Sequence, residues 1–229
     1  MFSISLANKK KNKSDLDCKI IFLDGSEETF HPSKKSLGSE LLDLNFAFIG
    51  LNDEQDYFGL EFDEGIQLWL DPTKEIRKQC HVGPPFKFKM RVKFFSSDPH
   101  NMRDEYARYL LVLHLRDIIS TGKLKVDENV GSQLAALLLQ SEFGDYVSRQ
   151  HTPAFTSTFR FVPEEQQTEV FEQLVLNQYK ELRNRNLYPA AAEKIYLEKA
   201  RLLPDYGVTF HLVKVFFNFF SSIFVIKFY

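Results

Sequence analysis

The groups in this chain able to act as nucleophiles or metal ligands are two cysteines, Cys18 and Cys80, and six histidines, His31, His81, His100, His114, His151 and His211. Zinc sites and metal-assisted hydrolysis need such groups at short fixed spacings, and no HExxH or paired-cysteine pattern occurs. Cys80 and His81 are neighbours in sequence, whereas a nucleophile and its base meet through the fold. His114 lies on an apolar helix and reads as a packed, hydrogen-bonded core residue. There is no glycine-rich phosphate loop, because the DGSEE stretch at residues 24–28 is hairpin chemistry. The residues therefore specify no reaction centre and call for no cofactor.

Bulk composition is that of a globular chain. Hydrophobic residues make up 44% and charged ones 26%, as in a globular chain with a real core. A net charge of -2 gives no broad pull toward nucleic acid. One run, Asn8–Lys13, is locally basic and reads as part of a solvated, disordered leader over residues 1–15. Two cysteines without metal spacing suit a reducing cytoplasm. The apolar stretch before the basic run is too short for a secretory signal.

The elements that must position any binding surface follow from periodicity. CKIIFL (residues 18–23), the Asp24–Gly25 dipeptide and ETF read as a hairpin whose two turn residues both take positive φ. Leu37, Leu41, Leu44 and Phe48 form one helical stripe closed by Gly50. YFGLEF and IQLWL are two further strands, with Trp69 read as core packing. In DPTKEIRKQ, Pro72 suits the first turn of a short helix. FKFKMRV alternates as a half-buried strand. Hairpin, helix, two strands, short helix and strand is the order of a ubiquitin-like β-grasp unit, placed at residues 16–96. From residue 97 the period becomes helical. EYARYLLVLHLRDIISTG is apolar nearly all round and should be buried on several sides. SQLAALLLQSEF ends at Gly144. Pro163 opens a third helix with the stripe Phe171, Val175, Tyr179 and Leu182, and Glu164 and Glu165 in its first turn. Pro189 opens a fourth with Ala192, Ile195, Tyr196, Leu202 and Leu203 inward. Four helices over residues 97–204 make a small bundle, so the fold class is α+β.

Several separated blocks carry a family resemblance: DYFGLEF (56–62), LWLDPTKEIRKQ (68–79), RVKFFSSDP (91–99), RYLLVLHLRDIISTGKL (108–124), ALLLQSEFGDY (136–146) and EKIYLEKARLLPDYGV (193–208). Together they resemble a FERM domain of the band 4.1 superfamily. That resemblance implies a ubiquitin-like first lobe, a second lobe like an acyl-CoA-binding-protein four-helix bundle, and a third pleckstrin-homology-like lobe. It implies a non-enzymatic, monomeric adaptor at the cell cortex. Its partners would be the cytoplasmic tails of membrane proteins, cortical cytoskeletal proteins and a phosphoinositide. The alternatives are the amino-terminal targeting module of a longer signalling enzyme, such as a non-receptor tyrosine phosphatase, and a tail-anchored membrane protein. In lipid-binding relatives, lysines after the Trp-Leu pair help hold a phosphoinositide headgroup. The resemblance marks Lys74 at one such position, and Asp71 stands at another where those relatives carry lysine. Lys74, Arg77 and Lys78 together are the candidate lipid-binding residues. By their own pattern these cations are a solvated helix face. Arg116 and Asp117 read as a partner surface or, more plainly, as interlobe ion-pairing residues.

YGVTFHLVK (206–214) is what opens the third lobe, and VFFNFFSSIFVIKFY follows it. Between Lys214 and Lys227 there are too few apolar residues for a membrane span of about 20. A native β-strand pair is one reading, with exposed apolar edges that invite aggregation. Because Phe, Ile, Asn, Lys, Tyr and Ser come from T- and A-rich codons, the favoured reading is translated intron or out-of-frame sequence. Residues 205–229 are then a remnant of the third lobe with an aberrant tail, and most of that lobe is missing.

Overall fold

The computed structural model describes residues 15–183, 185, 187–217 and 220–228, so the basic run at Asn8–Lys13 lies outside the described residues. Two compact units divide the chain: residues up to Phe94 with Pro99–Asp117, and Phe95–Asp98 with residues from Ile118 on.

The first unit holds a five-stranded mixed sheet of β1 (Cys18–Ile21), β2 (Glu27–Phe30), β3 (Phe58–Asp63), β4 (Gln67–Trp69) and β5 (Phe86–Val92). Their spatial order is β2-β1-β5-β3-β4. β1 and β5 run parallel at the centre, with Cys18 opposite Phe86 and Ile20 opposite Phe88. Period-two alternation works as expected on β5: Phe86, Phe88, Met90 and Val92 are buried while Lys87 and Lys89 face water.

Helix α1 (Gly38–Ile49) buries Leu41, Asn45 and Phe46. That corrects the expected stripe, since Leu37, Leu44 and Phe48 are all more than a third exposed. Its first amides are capped by backbone rather than a side chain: Gly38 N–H donates to Lys74 O at 2.9 Å and Ser39 N–H to Pro72 O at 3.0 Å. Only glycine fits there, because a Cβ at residue 38 would stand 2.4 Å from the Asp71 carbonyl oxygen. Pro72 belongs to this loop and not to a helix; the short helix α2 begins later, at Ile76–Gln79.

The hairpin turn is also longer than expected. Only Gly25 has positive φ, at 85°. Its N–H reaches Phe22 O, and Phe22 N–H reaches Ser26 O. Asp24 instead accepts from the Ser26 N–H and hydroxyl at 2.9 and 2.6 Å. This is a three-residue loop ending in a left-handed glycine, which needs only one positive φ.

Helix α3 (Glu105–Ser120) buries Leu110–Leu113, Leu115 and Ile119, and His114 is buried with them. In the second unit, α4 (Glu128–Phe143) packs against α6 (Glu169–Leu182) and α7 (Pro189–Ala200). α4 starts earlier than its apolar pattern because Asp127 caps it, accepting from Val130 N–H at 2.8 Å. A four-residue helix α5 (Pro153–Thr156) lies between α4 and α6. Pro163 opens a turn rather than α6, whose cap is Thr168 bonded to Phe171 N–H. The α6 stripe of Phe171, Val175 and Tyr179 is buried as expected. Leu202 is 77% exposed because α7 has ended by Ala200, and Leu197 is buried in its place. Strands β6 (Thr209–Phe217) and β7 (Phe220–Phe228) pair antiparallel, from Thr209 opposite Phe228 to Phe217 opposite Phe220. Among the described residues no helix is long and apolar enough to cross a membrane.

Candidate functional site

A concavity lies within the first unit. The β1–β2 hairpin contributes Phe22, Leu23, Asp24 and Ser26, and the end of α1 gives Phe48 and Ile49. Met90 on β5 and Tyr106, Tyr109, Leu110 and Leu113 on α3 complete a cavity of about 210 Å³. The Phe22 and Phe48 rings stack at 5.5 Å. On the other side Tyr106 and Tyr109 stack at 6.1 Å, and each remains 37% exposed. Burial raises the Tyr106 hydroxyl above its ordinary pKa, helped by the charges of Asp24 and Asp104.

The start of α3 is fixed toward this groove by backbone-directed charges. Glu54, held at φ 61°, accepts from the N–H groups of Arg103 and Asp104 at 2.8 and 3.2 Å. Asp104 in turn accepts from Tyr106 N–H at 2.8 Å. The buried Arg108 guanidinium donates to the carbonyls of Met102 and Arg103. Further along, Asp117 pairs with Arg91 of β5 at 3.2 Å.

The sequence-predicted cations sit elsewhere, on the 71–79 segment. Lys74 Nζ is 2.7 Å from Asp71 and Lys78 Nζ is 2.7 Å from Glu75, while Arg77 is exposed. The Lys74 ammonium, with the Thr73 hydroxyl and N–H, holds Asp71 far below the usual carboxylate range. Gln79 ties the loop together, accepting from Asp71 N–H and donating to the carbonyls of Asp71 and Lys74. Three cations are thus set against two carboxylates, and this segment concentrates little positive charge. Trp69, expected in the core, is 38% exposed on the edge strand β4, where its ring lies close over Gly59.

The chemistry-bearing residues remain dispersed. Burial pushes both the Cys18 and Cys80 thiols up to about 12, so neither is a thiolate at neutral pH. His81, next to Cys80, is exposed, and its backbone N–H is held by Glu64 at 2.7 Å. Among the described residues no cluster of His, Cys, Asp or Glu could hold a metal ion. Sequence reasoning placed Phe48 in a helical core stripe and Tyr109 in an all-round apolar helix, did not single out Tyr106, and assigned none of the three to a binding surface.

Comparison with known proteins gives two family models in order: the FERM N-terminal domain over residues 20–81 and the FERM central domain over residues 97–211. Human tyrosine-protein phosphatase non-receptor type 4 is 37% identical over 90% of this chain and 22% of its own length. Human band 4.1-like protein 3 is 40% identical over 90% of this chain and 18% of its own. The chain therefore spans about a fifth of these relatives. Among solved structures, the FERM domain in the Drosophila Merlin complex aligns with a TM-score of 0.76 at 22% identity, covering 86% of this chain and 68% of that one. The MyTH4-FERM domain of Dictyostelium discoideum myosin VII gives 0.69 at 20%, covering 93% and 48%. These two likenesses establish the fold.

Proposed function

We propose, from the premise that this chain belongs to the FERM family of the band 4.1 superfamily, that it is a noncovalent, monomeric adaptor. It would hold cytoplasmic tails of membrane proteins against the cortical cytoskeleton and would carry out no reaction of its own. The observation that supports this best is the groove bordered by the half-exposed Tyr106–Tyr109 stack. At about 210 Å³ it falls below the ~300–1,000 Å³ typical of small-molecule and cofactor sites. It suits one or two anchoring side chains of a peptide. Tyrosines fit that task because each offers a large apolar face at small entropic cost, with a polar tip left in water.

Lys74, Arg77 and Lys78 would add only a weak attraction to a phosphoinositide, since two of them face carboxylates on their own segment. A second reading, the targeting module of a longer signalling enzyme, is favoured by the 37% identity to a tyrosine phosphatase. Transcripts that share codons 1–214 and continue into a phosphatase domain would select it.

The test is binding of the purified chain to an array of membrane-protein cytoplasmic tails, with Tyr106→Ala/Tyr109→Ala alongside. The adaptor reading expects micromolar binding to at least one tail and a loss of about tenfold or more in the folded double variant. No tail above background, or binding unchanged in the variant, would overturn it.

A further inference from the structure

His151 occupies an unusual place in the second unit. It is 5% exposed, between the end of α4 and the start of α5. Its backbone N–H donates to Val147 O at 2.9 Å, and Val147 N–H donates back to His151 Nδ1 at 3.0 Å. This reciprocal pair closes the 147–151 loop into a single turn. The ring lies 4.8 Å from Phe155, 5.1 Å from Tyr179, 5.8 Å from Tyr146 and 6.4 Å from Phe143. Tyr179 also anchors Gly144, the α4 cap just before the loop, donating its hydroxyl to Gly144 O at 2.6 Å.

A ring nitrogen that accepts a backbone N–H must carry a lone pair, so this imidazole is neutral with its proton on Nε2. Protonation of Nδ1 would set two N–H donors against each other and place a cation inside an aromatic enclosure. We propose that His151 is a proton-operated latch: neutral, it holds the 145–152 loop closed over the aromatic cluster, and protonated, it releases that loop.

The charged and titratable groups around the ring define the direction of response. α6 brings Tyr179 and Lys180, and the Lys180 ammonium sits 5.5 Å over the Tyr146 ring. The loop contributes Asp145, Tyr146 and Arg149, and the last turn of α4 carries Glu142; α5 brings no ionisable group. The Asp145 carboxylate is engaged by Gln140 Nε2 at 2.9 Å. Burial lowers the His151 pKa below 6.5. The latch is therefore shut at neutral pH and opens as pH falls through a midpoint lower than that of an ordinary histidine. Opening would uncover Phe155 and Phe159, which with the already half-exposed Phe143 form a mutually edge-packed trio at 5.0–5.4 Å.

The test uses the whole chain. Histidine-labelled NMR should give His151 a midpoint below 6.5, with the Tyr179 and Phe143 ring signals moving at the same midpoint. Amide exchange, corrected for its intrinsic pH dependence, should show residues 146–151 losing protection about tenfold or more between pH 7.5 and pH 5, while α7 amides stay unchanged. His151→Phe keeps a ring and loses the acceptor, so its loop should exchange alike at both pH values. A His151 midpoint at or above 6.5, protection retained once His151 is protonated, or the same pH response in His151→Phe would overturn the latch. Where His151→Phe fails to fold, the wild-type titration and exchange decide the matter by themselves.

Discussion

Asn45→Leu should make this protein more stable, although it removes a polar residue from a native core. Asn45 is fully buried on the sheet-facing side of α1, in the turn after Leu41. Its Nδ2 makes one weak contact, 3.8 Å to the Met90 sulfur, and its Oδ1 finds no hydrogen-bond partner among the described residues. A buried acceptor left unpaired costs about 1–3 kcal/mol of desolvation, and the contact to sulfur returns little of it. Leucine is branched like asparagine and of similar length, so the strain of the swap is small beside that cost. A gain of about 2 kcal/mol raises the melting midpoint by about 4–8 °C for a chain of this size. Thermal unfolding followed by circular dichroism measures it. Asn45→Asp gives the opposite control, because a buried unpaired carboxylate should destabilise by about 3–5 kcal/mol at pH 7. A natively folded Asn45→Leu protein melting at or below the parent temperature would refute the reasoning, since Oδ1 would then have to be hydrogen-bonded.

Three further outcomes follow from the same packing. Gly38→Ala should cost about 1–3 kcal/mol in thermal unfolding, because the new Cβ meets the rigid Asp71 backbone at 2.4 Å rather than a yielding side chain. Asp71→Asn should increase sedimentation with phosphoinositide vesicles at low salt by about two- to fivefold, by releasing Lys74 from its pair; no increase would remove Lys74 from any headgroup site. Cys18 and Cys80 should resist iodoacetamide at pH 7.5 in the native chain and react after denaturation, as intact mass spectrometry would show, since burial holds both as thiols.

What was legible in the sequence, and what was not, divides along a physical line. Strand β5 and the α6 stripe could be read because each element has one apolar face, so the period also names the buried side. α1 has apolar residues on several sides, and the period selected Leu37, Leu44 and Phe48 along with the buried Leu41, while Asn45 and Phe46 are the residues buried beside it. Trp69 was misplaced for a related reason. An edge strand and a central strand carry similar residues, and only the order β2-β1-β5-β3-β4 reveals that β4 has a free side. Pro163 was read as a helix start because proline suits that position, while the cap that starts α6, Thr168, lay five residues on.

These misreadings bear on the groove itself. Phe48, Tyr106 and Tyr109 all fit a helical core pattern, yet each keeps more than a third of its surface in water, and all three line the same cavity. Apolar side chains that satisfy a core period and remain uncovered cost solvation with no packing in return, unless another surface covers them. One such residue is ordinary on a protein surface. Three converging on one concavity, Phe48 from α1 and two tyrosines from an α3 whose start is held by the Glu54 and Asp104 contacts, form a local conflict between pattern and packing of the kind that accompanies binding sites. The failure of the core pattern at these positions is what sets the proposed groove apart from the surrounding core. It became readable only once the sheet had fixed which faces were buried.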